Sequence, residues 1–105
     1  MSACTVTLIA CPNREEAERL AESLVTEKLA ACVNIVPGVT SVYFWEGKLC
    51  KEDEHLLIVK SVVEASSRIA ARVRELHSYS VPEVVTISIV SGNPEYLGWV
   101  ENWVR

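Results

Sequence analysis

The chain has 105 residues, 50% hydrophobic and 23% charged, and its acids outnumber its bases 14 to 10 for a formal charge of −4. That length suits one domain able to bury roughly two-thirds of the surface its unfolded chain exposes, and the composition excludes a disordered chain. No Lys/Arg-rich run supports a nucleic-acid partner, and no apolar stretch is long enough to span a membrane. The four cysteines, Cys4, Cys11, Cys32 and Cys50, form no C-x-x-C pair and match no zinc-finger spacing. The opening "MSACTVTLIACPN" lacks both a charged n-region and a long apolar h-region. The expectation is therefore a cytoplasmic protein with reduced thiols.

"CTVTLIA" is a β-rich run in which Val6, Leu8 and Ala10 share one face and Thr5, Thr7 and Ile9 the other. Pro12 ends regular pairing. Asn13 is a good N-cap, with Glu16 three residues later as in a capping box. Ala17, Leu20, Ala21, Leu24 and Val25 then recur at helical spacing, which predicts an amphipathic helix ending near Lys28. "AACVNIV" reads as a second strand, and Pro37-Gly38 as a turn. "TSVYFW" is a third strand, reversed at Glu46-Gly47-Lys48. "LCKEDE" carries a short return or bend, and "HLLIVKS" the next strand, apolar on both faces.

A second helix is predicted from about Glu64 to Leu76 with Ala65, Ile69, Val73 and Leu76 as its stripe. "HSYSVPE" is irregular, because Pro82 biases Val81 to an extended backbone. "VVTISIV" is the last strand, broken by Gly92-Asn93-Pro94. "EYLGWVENWV" reads as a short helix anchored by Tyr96, Trp99, Val100 and Trp103. The order β-α-β-β-α-β plus a C-terminal helix defines an α+β, ferredoxin-like sandwich, with both long helices on one sheet face and the other face uncovered.

The stretch "TSVYFWEG" breaks the usual alternation. Val42 and Phe44 point one way and Tyr43 and Trp45 the other, so large apolar side chains occupy both faces. The helices can cover one set. The other set then lies on the open face, with Ile9, Leu56 and Ile58 as expected neighbours. An apolar patch of this kind on a long hairpin favours association, so a homo-oligomer is expected. The competing expectation is that the C-terminal helix folds back, with Trp99 and Trp103 covering that face within one chain.

The stretches "EKLAACVNIVPGVTSVYFWEGKL", "LLIVKS", "HSYSVPEVV" and "NPEYLGWV" together resemble the CutA family of divalent-cation tolerance proteins, in order and spacing along nearly the whole chain. The resemblance implies a homotrimer of ferredoxin-like subunits whose hairpins wrap between neighbours. The family also resembles the trimeric PII signalling proteins in fold, although no PII nucleotide-binding motif is present. Two positions depart from the family pattern. Lys60-Ser61 stands where Lys-Thr is usual, and His77-Ser78-Tyr79 where His-Pro-Tyr is usual. Ser61 keeps a hydroxyl, whereas Ser78 loses a rigid turn residue beside His77.

The resemblance points to two candidate sites. Cys11 and His77 match positions tied to copper binding in some relatives, and thiolate with imidazole suits copper or another divalent ion. Some relatives carry two adjacent histidines there, but Leu76 precedes His77 here. The structural alternative makes Cys11 a small buried residue and His77 the cap of the second helix. The other site is a cleft between subunits that gathers Cys32, Trp45, Lys60, Tyr79 and Glu83. There Lys60 would pair with Glu83, and Tyr79 would add a hydrogen bond, either for a small ligand or as a structural ion pair. No G-x-S-x-G, P-loop or H-E-x-x-H motif occurs, no organic cofactor is expected, and the other charges, Glu15-Glu16 among them, read as solvated surface. The expectation is a non-enzymatic, metal-binding trimer, with a PII-like small-molecule sensor or a trimeric scaffold as alternatives.

Overall fold

The computed structural model describes every residue except Met1 and Ser2. Strand β1 (Cys4–Cys11) leads through helix α1 (Arg14–Thr26) to β2 (Cys32–Trp45) and β3 (Lys48–Val62). A 3-10 turn (Val63–Ala65) opens α2 (Ser66–Leu76), and β4 (Val84–Ser88) and α3 (Pro94–Trp103) complete the chain. The sheet order is β2-β3-β1-β4, antiparallel throughout. This is the α+β, ferredoxin-like arrangement that the alternating strand and helix patterns predict.

The register assigns the two faces. Thr5, Thr7, Ile9 and Cys11 align with Ser61, Val59, Leu57 and His55. Six of these residues are fully buried hydrophobics or hydroxyls, and Thr5 is almost so, which marks the helix-covered side. Ile69, Val73, Leu20 and Leu24 fill that layer from α2 and α1. Ile9 therefore belongs to the covered face, contrary to the sequence expectation. Leu56 and Ile58 share the opposite face with Val6, Leu8, Val85 and Ile87. Val85 and Ile87 remain 49% and 51% exposed, so that face stands open within the chain.

Two sequence-level boundaries dissolve in the structure. Pro37-Gly38 does not turn the chain. It sits in an irregularity of one continuous strand, where the β2–β3 register shifts between Val36 and Val39. Pro37 brings no N–H to a ladder, and Gly38 takes φ 72°, so together they accommodate a bulge without ending the strand. "LCKEDE" likewise does not bend away but pairs with β2 as the outer half of β3. The outcome is one long hairpin closed by Glu46 and Gly47, both at positive φ, as a two-residue turn requires. The hairpin stretches the molecule to 45 × 25 × 22 Å.

This extension leaves both sets of the aromatic stretch open within the chain. The helices cover neither set, because the outer hairpin runs beyond them. Phe44 is 70% exposed, Val42 58% and Trp45 55%. The C-terminal helix does not reach them either. It lies across the start of β1 and the end of β3, anchored by Leu97, Val100 and Val104 rather than by its aromatic residues. Trp99 stays half exposed, and Trp103 donates its indole N–H to the Val25 carbonyl beneath the Lys28 ammonium.

Candidate functional site

Pro12 ends β1 just after Cys11, and the chain turns directly into α1. Asn13 caps that helix by accepting the Glu16 backbone N–H through Oδ1 at 2.8 Å. The Glu16 side chain does not return to the cap. It lies one turn before Leu20 and two before Leu24, on the buried stripe of α1, and is only 5% exposed. Reading Glu16 as solvated surface was therefore wrong, and the stripe spacing was the signal that could have identified it. At the far end of α2, His77 serves as the C-cap, its backbone N–H donating to the Val73 carbonyl at 2.8 Å.

These three ends converge. The Cys11 thiol, a Glu16 carboxylate oxygen and a His77 ring nitrogen all lie within 4.8 Å of one another, and all three residues are buried. His77 Nε2 lies 2.7 Å from the Ala10 carbonyl, which can only accept, so this nitrogen carries the proton. Nδ1 is left facing Glu16 Oε2 at 3.2 Å and the Tyr79 backbone N–H at 3.0 Å. Glu16 Oε2 also accepts the Ser78 N–H at 3.1 Å. Cys11 has no exposed surface, as the structural alternative expected. Burial pushes its thiol up to about 12, reinforced by the negative charges of Glu16 and Glu54 and opposed by Arg19.

Sulfur, imidazole nitrogen and carboxylate oxygen form a donor set suited to borderline divalent ions of the zinc and copper class. Three donors are one fewer than a closed tetrahedral site uses. His55 is the cross-strand partner of Cys11, and among the described residues its Nδ1 is buried without a hydrogen-bond partner. The residues present thus fit a metal ion. Binding there requires the Cys11 proton to leave.

The cleft residues separate into two groups within one chain. Tyr79, Glu83 and Trp45 line a cavity of about 630 Å³ together with Tyr43 and Glu54. The Tyr79 hydroxyl donates to Glu54 Oε2 at 3.0 Å, and Glu54 is 7% exposed. Burial, then the bond to Glu54, raises the Tyr79 hydroxyl above the ordinary phenol range. Lys60 and Cys32 lie elsewhere. They face each other across β2 and β3, and Lys60 Nζ donates to Asn34 Oδ1. Lys60 is six residues from Glu54 along β3, roughly 20 Å at the rise of a strand. The expected Lys60–Glu83 pair is thus not formed within the chain. Beside Cys32, the Tyr96 hydroxyl is raised by burial and by a hydrogen bond with that thiol.

Fold and site together define a small α+β protein that carries a buried S, N, O donor set beneath a four-stranded antiparallel sheet. The chain belongs to the CutA1 divalent ion tolerance protein family, whose model matches residues 5–103. It is 50% identical over 95 residues to the divalent-cation tolerance protein CutA of Thermus thermophilus, covering 90% of this chain and 92% of that one. It is 47% identical to the chloroplastic CutA 1 protein of Oryza sativa, covering 95% of this chain but only 56% of the rice protein's length. The solved Cut A1 structure from Thermus thermophilus superimposes with a TM-score of 0.95 at 46% identity, covering 97% of this chain and 99% of that one. No helix among the described residues is long and apolar enough to cross a membrane.

Proposed function

We propose that the chain acts in divalent-cation tolerance by binding copper or a similar ion at Cys11, Glu16 and His77, as a cytoplasmic homotrimer and without catalysis. The observation that carries this reading is the convergence of those three donor atoms within 4.8 Å, drawn from three separate elements. Thiolate and imidazole bind the ion and the carboxylate completes the charge balance. The exposed aromatic hairpin supports assembly. A 14-residue edge strand bearing Phe44 at 70% exposure is the kind of surface that a second subunit covers. Native mass spectrometry of reduced protein, titrated with copper and then zinc, tests both parts. The expected result is a trimer taking up one ion per chain, with uptake lost in Cys11→Ala and His77→Ala. Retained uptake in both variants would refute the site.

A second reading is favoured by the cavity at Tyr79 and Glu54. Its volume and its buried carboxylate suit a small ligand, which would make the chain a PII-like sensor or a scaffold presenting that cleft. Lys60 and Cys32 would then come from a neighbouring subunit. Lys60→Ala should abolish ligand binding and leave the trimer intact.

A further inference from the structure

The donor cluster and the cleft share one short piece of chain. Ser78 and Tyr79 follow His77 directly, and each sends its backbone N–H into the cluster, Ser78 to Glu16 Oε2 and Tyr79 to His77 Nδ1. The same Tyr79 reaches the other way, its hydroxyl on Glu54 in the cleft wall and its ring centroid 4.8 Å from that of His77. Ser80 and Val81 continue that wall. A carboxylate has two oxygens, so Glu16 can hold an ion through one and Ser78 through the other. Nδ1 has a single in-plane lone pair. It accepts the Tyr79 N–H or it ligates a cation, and it cannot do both. The Nε2 side offers no escape, because it is committed to the Ala10 carbonyl.

We infer that a divalent cation at Cys11, Glu16 and His77 displaces the Tyr79 amide from His77 Nδ1 and so loosens the Tyr79–Val81 wall of the cleft, coupling the two sites. The inference rests on the metal reading given above. The two-state element is the lone pair itself, which is biased by the ion on one side and by the Tyr79–Glu54 bond on the other. Linkage is reciprocal, so whatever holds Tyr79 in the cleft opposes metal uptake, and metal uptake opposes it. Ser78 suits this role because its backbone N–H is free to donate to Glu16. A proline there would have no N–H to give Glu16, and its ring would restrict the segment. This chain holds the segment by a hydrogen bond that can break and re-form.

Hydrogen-exchange mass spectrometry of the reduced, full-length protein with and without zinc tests the inference. Zinc is chosen because it has no redox chemistry that would oxidise the thiols. Native mass spectrometry on the same samples counts bound ions, and Cys11→Ala reports whether they sit at the cluster. Zinc uptake that Cys11→Ala removes, with amide exchange across Tyr79–Val81 roughly two- to tenfold faster in the loaded protein, is the result expected for losing one backbone hydrogen bond. Tyr79→Phe, which keeps the amide but frees the segment from Glu54, should then tighten zinc binding by a similar factor. A merely structural role for Tyr79 would weaken it. Zinc bound at the cluster with exchange unchanged or slowed overturns the coupling and leaves the metal reading standing. Absence of uptake, or uptake that survives Cys11→Ala, overturns both.

Discussion

Cys11 has no exposed surface, and burial pushes its thiol from 9.0 up to about 12. In the unfolded chain the same thiol ionises near its ordinary value. Between those two pH values the unfolded state has lost a proton that the folded state keeps, so stability falls as pH rises. Below about pH 9 both states are protonated and Cys11 contributes nothing to the pH dependence. Each pH unit within the window costs about 1.4 kcal/mol, which makes the Cys11 contribution about 2 kcal/mol at pH 10.5. Tyrosines and lysines titrate in the same range, so the measurement is a difference. Urea denaturation of wild type and Cys11→Ala at pH 7 and pH 10.5 isolates the single thiol. Cys11→Ala should be the less stable protein at pH 7, because it leaves a small cavity. It should then lose about 2 kcal/mol less than wild type on going to pH 10.5. Equal losses in the two proteins would refute the argument that burial holds this thiol neutral. They would also remove the reason to expect strongly pH-dependent metal uptake.

Further predictions test other parts of the structure. Asn13→Ala removes the side chain that accepts the Glu16 N–H and should destabilise the fold by about 1 kcal/mol in chemical denaturation. Gly47 holds φ 76° at the hairpin tip with open space around its Cα, so Gly47→Ala meets no clash and should cost about 1 kcal/mol through backbone strain alone, read as a lowered melting temperature. Phe44→Asp replaces a side chain that touches little within the chain. It should leave secondary structure by circular dichroism unchanged and, if the proposed trimer forms, shift sedimentation from it towards smaller species. An unaltered sedimentation profile would exclude this hairpin from the subunit interface.

How far the chain is legible without its structure follows from which interactions are local. Strand alternation in "CTVTLIA", the Ala17-Leu20-Leu24 stripe, the Asn13 cap and the Glu46-Gly47 reversal all act within a few residues, and all stand as read. Pro37-Gly38 misled because the same residue pair serves a turn or a bulge. Only pairing with β3 distinguishes the two. The C-terminal helix was placed correctly along the chain, and of its four expected anchors Val100 is buried while Tyr96, Trp99 and Trp103 are not. Tryptophan has the larger apolar surface, yet Leu97, Val100 and Val104 face the core because of how the helix is rotated against β1 and β3.

Cys11 and His77 were identified through resemblance, since no local spacing joins a strand end to a helix end 66 positions later. Glu16 was missed because an acidic residue in a first helical turn is usually explained by the helix dipole and by solvent. The sequence by itself determined the order of elements, the amphipathic stripes, the caps and the presence of apolar side chains on both sides of one strand. Those features depend on side-chain type and on periods of two or 3.6 residues. Tertiary structure alone decided three further matters. It carried the hairpin beyond the helices, separated Lys60 from Glu83, and brought a thiol, a carboxylate and an imidazole together. Each depends on strand register or on how two helix ends meet a strand end, and those distances are set only when the whole sheet has closed.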